Sequence, residues 1–558
     1  MTRIATPIFM RGSYSFSAAL GATRNGGYAA CMIRGHAETE PLVSARRYML
    51  AIDLGTGGPK LALVREDGAI AASAIRSVQT RLAPGSGAEQ DPEEIWEAIV
   101  DGARQVVAEA GAPRESIVGV TCDSQYFSVV PIDATGAPVG DLILWLDSRG
   151  GPHTQEMYRA HPEAFLRWVE IAGMPALPTG SDSLSHMLFI HKERPEVYER
   201  AYKLVEPADY VTTRLSGTCA SNACTAFAQL LTDNRKLGAV GYSPELLALS
   251  GIDREKLPDL VAINSCLGRI RPRVAEAIGL APETRIFAGV NDTHAVSIGS
   301  GVFREGRAGI NIGTTGQVLA FVGEMKVDLE NSILSMPSPI PERYMVMAEN
   351  GLAGKTLEHF LHNIVFARDS LADHSTTDAY AGIEEALRSV APGSDGVLYL
   401  PWLSGSQSPT SNAGMRGGFL NLSLETTRSH LLRAVVEGVT LSLRWLLPAV
   451  ERFCGSEFES LTFSGGAAQS HEWSQVVADV TGRPVHQLAD PRHVNNRATA
   501  LLAFETLGMA SLDRIDELCP VQRVHEPRRV LVDLYARRLE QLQAAYEHTR
   551  PLFEAMNA

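Results

Sequence analysis

The sequence predicts an α/β protein made of two related halves, and three observations lead there. A strand rich in branched apolar residues runs into a glycine and threonine turn twice, at Ile52-Asp53-Leu54-Gly55-Thr56-Gly57-Gly58 and at Ile310-Asn311-Ile312-Gly313-Thr314-Thr315-Gly316. Further strand and helix signals follow each copy. At 558 residues the chain is too long for one core and long enough for two ordinary domains. Glycine reaches φ > 0 and has no Cβ, so successive amide N–H groups can converge on an anion. Two such turns, far apart in sequence, point to a phosphate gripped from two sides.

The elements read in order. Tyr48 to Ile52 is a strand, Gly55 to Gly58 a turn, Leu61 to Val64 a returning strand, and Ile70 to Ile75 a third after the Asp67-Gly68 turn. A helix follows, with Asp91 as cap, Pro92 at its first position, Glu93 and Glu94 at its positive end, and Ile95, Ile99, Val106 and Val107 as its apolar stripe. Ile117 to Thr121 and Ser128 to Ile132 are predicted as buried strands, and Arg285 to Val290 as a strand leading into a helix at Asp292.

The second half repeats the theme. Ala308 to Ile312 and Val318 to Val322 flank the second turn, with another strand at Tyr344 to Met347. A helix from Arg428 to Arg452 carries Leu432, Val436, Val439, Leu443 and Leu446 on one face, which marks a core helix. Leu461 to Phe463 then enters Ser464-Gly465-Gly466-Ala467 and a helix through Trp473 and Val477, followed by a strand at Pro484 to His486 and a helix from Asn495 to Leu507. Strand, glycine turn and helix place a helix N-terminus against a ligand. The helical tail from Arg528 to Phe553 can either cover the core or meet a second subunit.

Composition narrows the function. Hydrophobic residues make up 45% and charged residues 20%, which excludes wholesale disorder. A net charge of −14 argues against nucleic acid, because a phosphate backbone demands a basic face. The seven cysteines are scattered without a CxxC pair, as expected of reduced thiols in a cytoplasmic protein with no zinc site. No apolar run approaches the ~20 residues of a membrane helix. Residues 1–47, rich in glycine, serine, alanine and arginine with no acid before Glu38, are expected to be a disordered extension ahead of the folded region.

Gly354-Lys355-Thr356 looks like the end of a Walker motif, but Glu349 occupies the required leading glycine position, so the pattern fails. Lone Gly-x-Gly-x-x-Gly matches carry little weight in a chain with 49 glycines.

Taken in order, DLGTGGPK at Asp53, ILWLDSR at Ile143, EPADYVTTRLSG at Glu206, AGVNDTHAVSIGSG at Ala288, NIGTTG at Asn311, LPWLSG at Leu400, RGGFLNLS at Arg416 and FSGGAAQSHEWSQVVADVTGRPV at Phe463 resemble the FGGY family of carbohydrate kinases, nearest its xylulose kinase branch. The resemblance runs from about Tyr48 to about Gly508. It implies two actin-like, ribonuclease-H-like ATPase domains with the active site in the cleft between them: an N-terminal, sugar-binding domain over 48–301, a C-terminal, nucleotide-binding domain over 302–515, and a helical tail over 516–558. It also implies ATP and Mg²⁺ as cofactors, a small sugar or polyol as substrate, and a possible homodimer.

Residue roles follow from the same likeness. A hydroxyl is phosphorylated more readily beside a positioned base, worth roughly 10²- to 10⁴-fold. By resemblance Asp292 is that catalytic base; read from its neighbours alone it could equally cap the helix that starts there. Asp53 would hold Mg²⁺ through water, and its alternative is to brace the hairpin turn. Thr56, Gly57 and Gly58 would approach the transferred phosphoryl group, with Lys60 nearby either as added charge or as a solvated side chain. Gly313, Thr314, Thr315 and Gly316 would contact the nucleotide phosphates, and Gly465, Gly466 and Ala467 the adenosine.

The sugar side departs from the family pattern. Ser124-Gln125-Tyr126-Phe127 stands where a Gly-Gln-Met-His segment is usual, so Phe127 replaces a sugar-binding histidine, and Ser406-Gln407-Ser408-Pro409 replaces Glu-Arg-Thr-Pro. Gln125, Tyr126, Phe127, Trp145, Asp147 and Asp292 are the candidate substrate contacts, with Asp123 a further partner for hydroxyls. Tyr126 and Phe127 read equally as strand core, and Trp145 as a buried tryptophan or a stacking face for sugar C–H groups. The reading from these residues is ATP-dependent phosphorylation of a pentulose such as xylulose; its rival is a catalytically impaired actin-like protein that senses or binds a sugar.

Overall fold

The computed structural model describes residues 46–557 apart from 371, 372, 375, 377 and 409. The expected N-terminal extension therefore lies, except for Arg46 and Arg47, outside the described residues.

Two mixed sheets organise residues 46–557. In the first, the strands run in the order Cys266–Arg269, Arg285–Phe287, Ile117–Ser124, Tyr48–Gly55, Gly58–Arg65 and Ile70–Ile75, with short Val290–Asn291 also pairing with Ile117–Ser124. In the second the order is Val327–Asp328, Ile333–Pro337, Tyr344–Leu352, Thr315–Val322, Arg307–Ile312, Ser460–Ser464, Val485–Leu488 and Val521–His525. Each contains the same unit. An antiparallel hairpin, Tyr48–Gly55 with Gly58–Arg65 or Arg307–Ile312 with Thr315–Val322, has its leading strand joined in parallel to a later one, Ile117–Ser124 or Ser460–Ser464.

Alternation explains how the first sheet is covered. Leu50, Ile52, Leu54, Leu61 and Leu63 point to one face and pack with Ile95, Ile99 and Val106 of the Pro92–Ala110 helix. Met49, Ala51, Ala62 and Val64 point to the other and pack with Ala498, Leu501 and Leu502 of the Val494–Thr506 helix. That second helix comes from the far half of the sequence. It crosses back onto the first sheet, where Asn496 Nδ2 donates to the carbonyls of Ala51 and Lys60, each at 3.1 Å.

The second sheet is built around the Arg428–Cys454 helix, held at its start by reciprocal Thr427 and His430 bonds and ended by left-handed Gly455. The tail forms a helix, Val532–Met556, laid against it. Tyr535, Leu542 and Tyr546 are buried there, and Tyr535 Oη donates to Glu437 Oε1 at 2.8 Å. Of the two roles open to the tail, covering the core is the one these contacts serve.

Boundaries shift where the ladder has more partners than the sequence reveals. The strand expected over Ile117 to Thr121 continues to Ser124, because Asp123 pairs with Asp53 on one side and Val290 on the other. The strand expected from Ser128 shortens to Val130–Ile132 after Phe127, whose φ of 55° breaks the extended run.

Candidate active site

The carboxyl ends of three parallel strands meet at one place. Asp53 stands opposite Asp123, Asp123 opposite Val290, and Asp292 opens the Asp292–Gly299 helix one residue beyond Asn291. Asn291 occupies the cap position; Asp292 lies in the first turn, where its Oδ1 accepts from the Thr293 amide at 2.7 Å. A helix N-terminus favours that negative charge.

The electrostatics are dominated by burial among like charges. Burial first, and then the charge of Asp53, raises the Asp292 carboxyl to about 7. Burial, followed by Asp53 and Asp292, pushes Asp123 well above the usual carboxylate range. Lys60 Nζ donates to Asp53 Oδ2 at 2.5 Å. Burial would pull the Lys60 ammonium down, but Asp53, Asp123 and Asp292 hold it above its ordinary value. Asp123 Oδ1 accepts from Asn495 Nδ2 at 3.1 Å, while Asp123 Oδ2 is buried with no hydrogen-bond partner among the described residues. Facing carboxylates with an orphaned oxygen fit a hard divalent cation, which takes oxygen ligands and few carboxylates.

Around the first turn the side chains interlock. Trp145 Nε1 donates to Thr56 Oγ1 at 3.0 Å, and Thr56 Oγ1 donates to Gln125 Oε1 at 2.8 Å. Gln90 Nε2 donates to the Thr56 carbonyl at 2.7 Å. Trp145 thus reaches the turn through its ring edge. Asp147 is fully buried and committed to the protein: it accepts from Arg149 Nη2 at 2.6 Å and from the Ala88 amide at 2.9 Å. Burial is the largest influence and opposes its ionisation, but the Arg149 side chain, the Ala88 and Arg149 amides and the Arg149 charge together hold its carboxyl below the usual range. The rings of Tyr126 and Phe127 lie 4.7 Å apart, tilted at 40°, and Tyr126 is buried.

The second turn is anchored through its carbonyls. The Gly354 amide donates to Gly313 O at 3.0 Å, and the amides of Ala353 and Lys355 donate to Thr314 O at 3.1 and 3.2 Å. The residues that mimicked a Walker end therefore start a short helix, Gly354–Phe360, packed under this turn. Gly465, at φ 85°, lies so close that an added Cβ would sit 2.4 Å from Ile312 O. It carries Gly466 and Ala467 alongside Gly313. A Cβ on Gly57, Gly313 or Gly466 would meet nothing within 4 Å, so each turn keeps one open side.

A chain of polar contacts links the two sheets. Thr293 Oγ1 lies 3.3 Å from Asp292 Oδ1 and 3.4 Å from Tyr126 Oη, which donates to Met347 Sδ at 3.0 Å. Gln317 Nε2 reaches the same sulfur at 3.8 Å, Asn311 Nδ2 donates to Gln317 Oε1 at 3.0 Å, and Ser464 Oγ donates to Asn311 Oδ1 at 3.3 Å. A continuous run of contacts thus joins Asp292 at one end to the Asn311 and Ser464 strand ends, which enter the Gly313 and Gly465 turns, at the other. Sequence reasoning gave Asp123 only a hydroxyl-binding role and passed over Asn495. The acid at the end of a strand adjacent to Asp53 was the available signal for Asp123; Asn495 offered none, because its partner lies 372 residues away.

Residues 48–299 match the N-terminal domain of the FGGY family of carbohydrate kinases, and residues 308–494 match its C-terminal domain. Xylulose kinase from Bacillus subtilis is 24% identical over 520 residues, covering 92% of this chain and 99% of the relative. Gluconokinase from the same organism is 27% identical over 439 residues, covering 78% of this chain and 82% of the relative. Among solved structures, ligand-bound xylulose kinase from Lactobacillus acidophilus superposes with a TM-score of 0.78 at 20% identity, covering 91% of this chain and all of that one. Plasmodium falciparum glycerol kinase with ADP gives 0.77 at 19% identity, over 90% of this chain and 98% of that one. The fold is the two-domain, actin-like ATPase fold. No helix among the described residues is long and apolar enough to cross a membrane. With its two halves matching the two domains in order, this chain belongs to the FGGY family of carbohydrate kinases.

Proposed function

We propose that this ATP-dependent carbohydrate kinase phosphorylates a hydroxyl of a pentulose such as xylulose, with Asp292 as the general base. The observation that carries the reading is the position of Asp292: at a helix start, at the meeting point of three strand ends, with a carboxyl raised to about 7. A base with that value is ionised in half or more of the molecules near neutral pH and still accepts a proton effectively. Asp292 would take the hydroxyl proton as the sugar oxygen attacks the γ-phosphorus in line, while the bond from that phosphorus to the bridging oxygen breaks and ADP leaves.

The remaining roles extend this reading, with the family resemblance as their support. Thr56, fixed by Trp145, Gln125 and Gln90, and Gly57, with its open side, face the transferred phosphoryl group. Gly313, Thr314 and Thr315 contact the phosphates, while Gly465, Gly466 and Ala467 lie against the adenosine. Gln125, Tyr126, Phe127 and Trp145 border the sugar. Asp53 and Asp123 would hold Mg²⁺, whose charge, when bound, offsets that of the phosphates. Closure of a domain over 48–301 on one over 302–515 would exclude water and limit wasteful ATP hydrolysis. The reading includes a cytoplasmic setting and a homodimer. A sugar-sensing protein without turnover is not favoured, since the relatives are sugar kinases and this chain has both Asp53 and Asp292.

The test measures ADP release with ATP, Mg²⁺ and a panel of ketoses, polyols and glycerol. Release that depends on a pentulose, and falls at least 10²-fold in Asp292→Asn with nucleotide affinity retained, is expected. Full activity in that variant would remove the mechanism.

A further inference from the structure

The Tyr344–Leu352 strand faces Asp292 from the second sheet, and it carries an acid that none of the roles above uses. Met347 and Glu349 share one face of this strand, since alternate residues do. That face is identified by contact. Met347 Sδ receives Tyr126 Oη at 3.0 Å, and Gln317, whose Nε2 reaches the same sulfur at 3.8 Å, stands directly across from Glu349 in the ladder. Tyr126 in turn touches Thr293, the neighbour of Asp292. Glu349 is half-buried, and its carboxylate has no hydrogen-bond or ion-pair partner among the described residues. A carboxylate in such a place awaits donors.

The charges nearby limit what can supply them. Asp53, Asp123, Asp292 and Glu349 are acids, and the cation that acts on Asp123 and Asp292, Lys60, is held by Asp53. Burial and then the charge of Asp292 raise the Glu349 carboxyl to about 7, which places the two acids within electrostatic reach of each other. A sugar hydroxyl donates to such a carboxylate. A substrate carboxylate would be repelled by each of these acids in its ionised form.

We propose that Glu349 is a substrate-binding residue that accepts hydrogen bonds from acceptor hydroxyls and restricts the enzyme to uncharged ketoses and polyols, excluding sugar acids. Tyr126, Phe127 and Met347 supply the apolar wall beside it. The inference rests on the kinase reading above and deepens it by fixing the substrate class.

Steady-state kinetics on xylulose, as the neutral acceptor, and gluconate, as the sugar acid, test it in the wild type and in Glu349→Gln. The wild type should prefer the neutral acceptor by at least about 10²-fold in kcat/KM. Glu349→Gln should raise KM for that acceptor about tenfold or more with a smaller change in kcat, and narrow the discrimination at least tenfold. ATP affinity, measured by calorimetry, should not move, which separates lost recognition from lost folding. Unchanged KM and discrimination in Glu349→Gln would overturn the inference and leave the kinase reading standing; a wild type that prefers gluconate would overturn the inference and the pentulose assignment but not the general base. A wild type that phosphorylates no sugar or polyol would overturn both.

Discussion

The two glycine turns share a backbone plan and differ in chemistry. In the first, Asp53 faces Asp123 across a parallel pair; at the matching positions of the second, Asn311 faces Ser464. Opposed carboxylates repel unless a cation lies between or beside them, and here Lys60 sits on one and an oxygen of the other has no partner. The amide and hydroxyl of the second pair bond each other without charge. On the function proposed above, one scaffold, used twice, would offer a cation site on one side and a neutral cradle for a polyanion on the other. On that reading, a carboxylate in the second turn would repel a triphosphate, and an amide in the first would hold a cation less tightly.

The comparison can be tested from its strongest element downwards. Asp292→Asn should abolish sugar phosphorylation and also change the pH dependence of stability. The folded carboxyl, at about 7, lies above its ordinary 3.8, so its stabilising contribution is complete below 3.8 and lost as pH rises through about 7. The variant, which carries no titrating group there, should melt a few degrees higher than the parent at pH 8 and no higher at pH 4, as calorimetric scans would show.

Converting the neutral turn toward the acidic one is the next largest change. Asn311→Asp should weaken nucleotide binding about tenfold, roughly 1.4 kcal/mol, in titration calorimetry without sugar. Equal affinity would mean that the two turns do not divide the labour in this way.

Lys60→Gln leaves buried Asp53 without its counter-charge. Unfolding in denaturant should show a loss of about 1–3 kcal/mol. Lys60 also lowers the Asp292 carboxyl, so the acid limb of kcat/KM against pH should move upward from about 7. Trp145→Phe, which keeps an aromatic face but removes the indole donor to Thr56 and part of the ring's volume, should lower kcat/KM about three- to tenfold by letting the first turn relax.

Much of this architecture can be read along the chain because its causes are local. Alternating apolar residues built both hairpins, a capped amphipathic stripe built the Pro92–Ala110 helix, and glycines marked the turns that a Cβ would obstruct, Gly465 most plainly. The polar links between sheets could not be read in the same way. Tyr126 looked like strand core, and its partner sulfur on Met347 lies 221 residues further on. Asp147 matched a substrate motif, yet Arg149 and the Ala88 amide occupy its oxygens. Glu349 entered the sequence reading only as the residue that spoils a Walker pattern.

By itself, then, the order of residues determined the duplicated strand–turn units and the acid at the head of a helix, since periodicity, capping and backbone freedom act over a few neighbours. Only the tertiary structure decided which acids gather, that the Val494–Thr506 helix returns to the first sheet to bring Asn495 onto Asp123, and that Glu349 faces Asp292. Charges perturb one another through distance in space and loss of water, and both are set when remote segments pack, not by their spacing along the chain.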